Sequence, residues 1–226
     1  MKRLGEQQKT GNKQATGRRP RNFSLNTKKL PEDKVYVTKS MTSVEEAVEA
    51  KMAEVEPKFL GIKMVKYGTE GKRNVWVPCY YMVYDFDITP TFFNKAGAFN
   101  RNGTLGVVYD ANQMHASHYD VLTDGDIPMQ EKRVDDMEGV ILPDNGTLEE
   151  IIKSAEYSIR RQVLFKAYKT MDSNLNQLKL VKFYRQACEL ELSFKDRTYI
   201  KYAYLDDYGV KNERARGLKT RLNPTI

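Results

Sequence analysis

Residues 75–88 read Val-Trp-Val-Pro-Cys-Tyr-Tyr-Met-Val-Tyr-Asp-Phe-Asp-Ile. Beyond Pro78 the residue types alternate, with Tyr80, Met82, Tyr84, Phe86 and Ile88 on one face and Asp85 and Asp87 on the other. Successive side chains of a strand point to opposite faces, so a period of two marks a half-buried antiparallel strand. Pro78 cannot donate a ladder hydrogen bond and is expected at an edge, a bulge or a strand start. Residues 178–194 repeat the theme: Cys188, Leu190, Leu192 and Phe194 alternate with Glu189, Glu191 and Ser193.

Each of these stretches lies in a similar run of elements. Upstream of the first, Thr42-Ser43-Val44-Glu45-Glu46-Ala47 places hydroxyls before acids. A hydroxyl oxygen accepts from free backbone N–H groups and acids suit the positive end of the dipole, so a short helix over 43–55 is expected, closed by Pro57. Upstream of the second, Asn145-Gly146-Thr147-Leu148-Glu149-Glu150-Ile151 gives the same signal. Leu148, Ile151, Ile152, Ala155, Ile159, Val163, Leu164 and Ala167 fall at three- and four-residue spacings, which predicts one buried stripe on a helix reaching about residue 171. Residues 59–66 read as a further strand, and Gly68-Thr69-Glu70-Gly71-Lys72 as the hairpin turn after it. Each long strand is followed by another that ends in an acid, 105–110 and 199–206.

The fold class that follows is α+β: antiparallel sheet with helices on one face, the order of elements suggesting a duplicated α-β-β-β unit. An ordinary α+β domain with the same order of elements is the competing reading. Val35-Tyr36-Val37 is expected to add an edge strand. Four segments are expected: a disordered basic arm over 1–34, α+β units over 35–140 and 141–210, and a basic tail over 211–226.

Charge is segregated. Residues 1–40 hold eleven Lys/Arg against three Asp/Glu, whereas residues 41–226 hold 26 against 27. The arm carries Lys2, Arg3, Lys9, Lys13, Arg18, Arg19, Arg21, Lys28 and Lys29, with Glu6 the sole acid before residue 30. Its few apolar residues cannot offset the entropy of ordering, so it is expected to be disordered in isolation. Spaced Lys and Arg neutralise phosphates and release counterions, which makes these nine residues the candidate contacts to RNA or DNA, or to an acidic protein surface. Phe23 could stack on a base beyond the stiff Arg18-Arg19-Pro20-Arg21. The tail over 211–221 adds five positive charges against one acid. Two basic ends around an acidic body also suit self-assembly.

Other chemistry has thinner support. Asp110, His115, His118 and Asp120 hold both histidines of the chain, and a helical turn would put His115 and His118 on one face. Imidazole and carboxylate ligands suit a divalent metal, whereas on a strand the two rings point apart. A solvated loop is the simpler expectation there, and no cofactor is expected. The Gly68–Lys72 segment lacks the glycine spacing and the hydroxyl of a phosphate loop. Cys79 and Cys188 sit in apolar runs and read as core thiols of a reducing compartment. The pairs Asp85/Asp87 and Glu189/Glu191 read as solvated strand faces. No run is apolar enough for a membrane helix, which points to the cytoplasm or a particle assembled there. The functional expectation is a non-enzymatic assembly or scaffold protein with a nucleic-acid-binding arm. The alternatives are a metal-assisted hydrolase at Asp110/His115/His118, and a regulatory protein-binding module using an exposed sheet face with Lys182, Arg185, Lys195 and Lys201.

Overall fold

The computed structural model describes residues 30–56, 58–59, 62–63, 66–90, 102–121, 125–163 and 171–208. The basic arm up to residue 29 and the tail from 209 lie outside these residues. In chain order the elements are β1 (Lys34–Thr38), α1 (Val44–Val55), β2 (Lys58–Phe59), β3 (Ile62–Lys63), β4 (Gly68–Pro90), β5 (Asn102–Asp110), β6 (His115–Tyr119) and β7 (Met129–Arg133). A 3-10 turn (Val134–Asp136) precedes β8 (Val140–Ile141) and α2 (Leu148–Ser158). A π-helical turn (Ile159–Val163), β9 (Met171–Phe194) and β10 (Arg197–Tyr204) follow.

β4 and β9 form the spine. They pair antiparallel from Gly68↔Ser193 to Pro90↔Met171, with irregularities at Thr69/Gly71 and Val83/Tyr84. The strand order is β6-β5-β4-β9-β1-β7, with β10 also on β9 and β8 also on β4. The two halves of the chain therefore share one sheet. That sheet is mixed rather than purely antiparallel as expected: β1 runs parallel to β9, and β8 parallel to β4. A parallel partner arrives through a long crossover, and a strand as short as Val140–Ile141 carries no alternation to announce it.

Three local expectations change. The Gly68–Lys72 segment is the first part of β4, laid against the end of β9 with a bulge at Glu70. Among the described residues of the stretch expected as one strand over 59–66 are the two-residue strands β2 and β3, which pair with each other. β1 is an interior strand, held between β9 and β7. Pro78 sits mid-strand, yet costs no ladder bond. Its carbonyl accepts from Ala111 N on the side where β8 ends opposite Trp76 and β5 ends opposite Cys79. The missing donor faces that junction.

Part of the hydrogen bonding of one half recurs in the other. β1 meets β9 at Tyr36↔Phe183 and Val37↔Tyr184, while β8 meets β4 at Val140↔Val75 and Ile141↔Trp76. Met41 N donates to Leu205 O ahead of α1, and Asn145 N donates to Ala111 O ahead of α2. Leu205 N donates to Gln186 O, and Ala111 N to Pro78 O. A local two-fold across the β4–β9 ladder relates each member of these pairs to the other. The matched order is strand, helix, long strand, hairpin strand. The described residues after α2 hold two strands rather than three.

Both helices lie on one face. The ladder sets Asn74 opposite Cys188 and Tyr80 opposite Lys182, so between the two irregularities even-numbered residues of both strands share that face. Ile151, Ala155 and Ile159 of the α2 region pack on Tyr80, Met82, Tyr84 and Phe86. Ala47 and Val48 of α1 pack on Cys188, Leu190 and Leu192. Leu148 is the exception in the predicted stripe, being 46% exposed. Val163 lacks a described side chain and Leu164 and Ala167 lie outside the described residues. The other face is covered at its centre: Val75, Val77, Tyr81, Val83 and Phe183 pack against Tyr119, Val121, Ile127, Leu142 and Tyr208. An exposed sheet face, as expected for a docking surface, is absent there.

Reciprocal capping boxes start both helices. Glu46 N donates to Ser43 Oγ at 3.2 Å and Ser43 N to Glu46 Oε2 at 3.1 Å. Glu150 N donates to Thr147 Oγ1 at 3.3 Å and Thr147 N to Glu150 Oε2 at 2.8 Å. The hydroxyl of Thr42, then the backbone and hydroxyl of Ser43, hold the Glu46 carboxyl below its ordinary value of 4.5. The backbone and hydroxyl of Thr147 do the same for Glu150. A lowered carboxylate favours the folded state above its unfolded pKa, and that contribution disappears as pH falls through the folded one. Thermal denaturation across the acid range should therefore show stability falling below about pH 4.5, with Glu46→Gln and Glu150→Gln flattening that decline. Ser43→Ala and Thr147→Ala should each cost about 1 kcal/mol at neutral pH.

Candidate functional site

The most concentrated chemistry lies beneath the spine, on the face away from the helices. Val181, Phe183, Arg185 and Ala187 point there from β9, so a guanidinium stands in an otherwise apolar row. Arg185 is 3% exposed and Asp206 6%. Arg185 Nη2 donates to Asp206 Oδ1 at 2.5 Å and its Nε to both carboxylate oxygens at 3.0 and 3.2 Å. Asp206 Oδ2 also accepts from Thr38 Oγ1 at 2.6 Å, and Oδ1 from Tyr208 N at 3.0 Å. The guanidinium lies 3.7 Å from the Tyr204 ring centroid. Burial opposes the charge on Arg185, but the adjacent Asp206 outweighs it and holds its pKa above the usual value. Burial likewise pushes the Cys79 thiol and the Tyr204 phenol well up, so both stay protonated at neutral pH.

Asp110 belongs to the same cluster. It accepts the Tyr204 hydroxyl at Oδ2, and Asn112 N and Gln113 N at Oδ1, at 2.9 and 2.8 Å. Asn112 in turn accepts from Tyr202 at 2.7 Å. The cluster ties β1, β4, β5, β9 and β10 together through side chains that satisfy one another. It works as a brace at the centre of the sheet. Nothing in its geometry offers an activated nucleophile: the thiol of Cys79 is buried and protonated, and the carboxylate of Asp206 is already shared among three donors.

The sequence-predicted metal ligands are separated. Residues 115–119 form a strand against β5, with His115 opposite Asp110 and His118 opposite Val107. The two rings therefore leave on opposite faces. His118 Nε2 lies 3.3 Å from Ser158 Oγ under α2. Asp120 is buried just past the strand. Among the described residues no group of three or more His, Cys, Asp and Glu is placed to hold a metal ion.

The remaining candidates are dispersed. Asp85 accepts from Thr104 at 2.5 Å, and Glu189 takes a bidentate contact from Arg73 at 2.7 and 3.1 Å. Lys182 donates to Asp144 at 2.7 Å and lies over the Tyr80 and Tyr184 rings. Arg185, expected on an exposed face, is instead the centre of the buried brace. Lys195 occupies the β9–β10 turn, and Lys201 is exposed on β10. Cys79 and Cys188 are buried free thiols. All nine candidate nucleic-acid contacts, Lys2 to Lys29, lie outside the described residues. Sequence reasoning missed Thr38, Tyr204 and Asp206 as partners of Arg185. A charge interrupting the Val181-Phe183-Ala187 alternation was the signal that could have found the site.

Comparison of the chain with protein-family models, curated proteins and solved structures gave no match. Among the described residues no helix is long and apolar enough to cross a membrane.

Proposed function

We propose that this chain is a non-enzymatic assembly or scaffold protein. Its basic N-terminal arm binds nucleic acid, RNA or DNA, or an anionic neighbour in a larger complex. The observation that carries this reading is the charge segregation: eleven Lys/Arg against three acids in residues 1–40, and 26 against 27 in the rest. A cationic segment of this composition binds polyanions by counterion release. The body supplies a braced frame on which such an arm can be displayed, in the cytoplasm or in a particle assembled there. We read the two halves as repeats of one module, with β1 and β8 as its matching first strands, supported by the paired hydrogen bonds ahead of α1 and α2.

The test is salt-dependent binding of RNA and DNA by the full chain, compared with the full chain in which Arg18, Arg19, Arg21, Lys28 and Lys29 are replaced by Gln. Removing about five phosphate contacts should make the log–log salt slope shallower by about 4 to 5. Equal slopes in the two proteins would end the reading of the arm as a nucleic-acid contact.

A further inference from the structure

We infer that the outer edge of β10 is a self-pairing surface, on which a second copy of this chain adds its own β10 antiparallel. The internal two-fold shows what a covered edge looks like. β5 follows β4 in one half as β10 follows β9 in the other, and the outer edge of β5 carries β6 through Gly106↔Tyr119 to Asp110↔His115. Among the described residues β10 pairs only with β9.

The divergence has a local cause. After β5 the chain reverses, with Met114 at φ 52°. After β10 the next acid, Asp206, is captured by Arg185, and Tyr208 is buried with its ring 6.3 Å from Tyr119. The described chain thus leaves β10 toward the centre of the sheet, as far as Tyr208.

The outer edge of β10, exposed at Thr198, Ile200 and Lys201, is specific in which groups it offers. Leu205 N donates inward to Gln186 O, and the two-residue turn Lys195-Asp196, both at positive φ, makes Phe194 and Arg197 an inward-bonded pair. Odd-numbered residues of β10 therefore turn their backbone groups to β9, and Thr198, Ile200 and Tyr202 turn theirs outward. An antiparallel pairing centred on Ile200 uses all three: Ile200 meets Ile200 of the second copy, and Thr198 meets Tyr202.

Side chains fit the same register. Ile200 is 42% exposed, and across the axis it would cover its own counterpart. Lys201 falls opposite Tyr199 and Arg197 opposite Ala203, so no like charges oppose one another. A long unpaired edge with an exposed β-branched residue is a ready template for pairing. This inference stands independently of what the arm binds.

The test is sedimentation of the nuclease-treated full chain in high salt, where arm-mediated association is screened. The wild type should pass from monomer to dimer as concentration rises. Ile200→Pro removes an outward N–H only, a change tolerated on an edge, and should stay monomeric with an unchanged melting temperature. Ile200→Cys should form an interchain disulfide on mild oxidation, since paired Cα atoms about 5.5 Å apart lie within disulfide range. Lys195→Cys should not. The cross-link also decides the matter if Ile200→Pro fails to fold. A wild type that remains monomeric at every concentration, a dimer that survives Ile200→Pro, or an Ile200→Cys protein that does not cross-link would overturn the proposal. Capture of a different strand would appear as such a wild-type monomer.

Discussion

Arg185→Ala should lower the stability of the folded chain by about 3–5 kcal/mol, because it leaves a carboxylate buried without its counter-ion. Asp206 is 6% exposed, and among the described donors to it Thr38 Oγ1 and Tyr208 N, both uncharged, would remain after the substitution. Chemical denaturation with matched slopes would measure the loss. The same principle makes the paired replacement informative. Arg185→Leu with Asp206→Leu removes both charges and should recover most of the stability, since a buried ion pair offsets its desolvation cost only narrowly. If Arg185→Ala cost under about 1 kcal/mol, the range of exposed pairs, the brace would be refuted.

The second large effect concerns the apolar stripe of α2. Ile151→Ala should cost about 2–5 kcal/mol, the usual range for a truncated core aliphatic. Ile151 is fully buried against the Tyr80, Met82, Tyr84 and Phe86 row. Leu148→Ala, three residues earlier on the same stripe, should change stability by no more than about 0.5 kcal/mol, as at other surface positions. Leu148 is 46% exposed. Equal costs at the two sites would mean that α2 docks one turn further toward its N-terminus than described.

These two experiments also separate what was legible in the chain from what was not. The capping residues Ser43 and Thr147, and the acids Glu46 and Glu150, define the helix starts by local chemistry, and both boxes form. The alternation after Pro78 and after Ala187 defines two strands and the face each turns to the helices, because side-chain direction in a strand depends only on position along it. The burial of Cys188 follows from its row, whereas Cys79 lies on the face of Asp85 and Asp87 and is buried because that face is covered too. Leu148 misled because periodicity reports which side of a helix is apolar, and not how far the sheet beneath it extends.

Charge segregation, the helix caps and the alternating faces of the two long strands depend on residues near one another in the chain, and local chemistry is enough to read them. The remaining features come from long-range packing. It placed β9 between β4 and β1, made the sheet mixed, turned His115 and His118 to opposite faces and drew Thr38, Arg185, Tyr204 and Asp206 into one buried cluster. Each of those outcomes depends on contacts between residues far apart in sequence. Thr38 and Asp206, for example, are separated by 168 positions. Such contacts are selected by the burial of both sheet faces at once, and by the need to neutralise a charge that this burial traps.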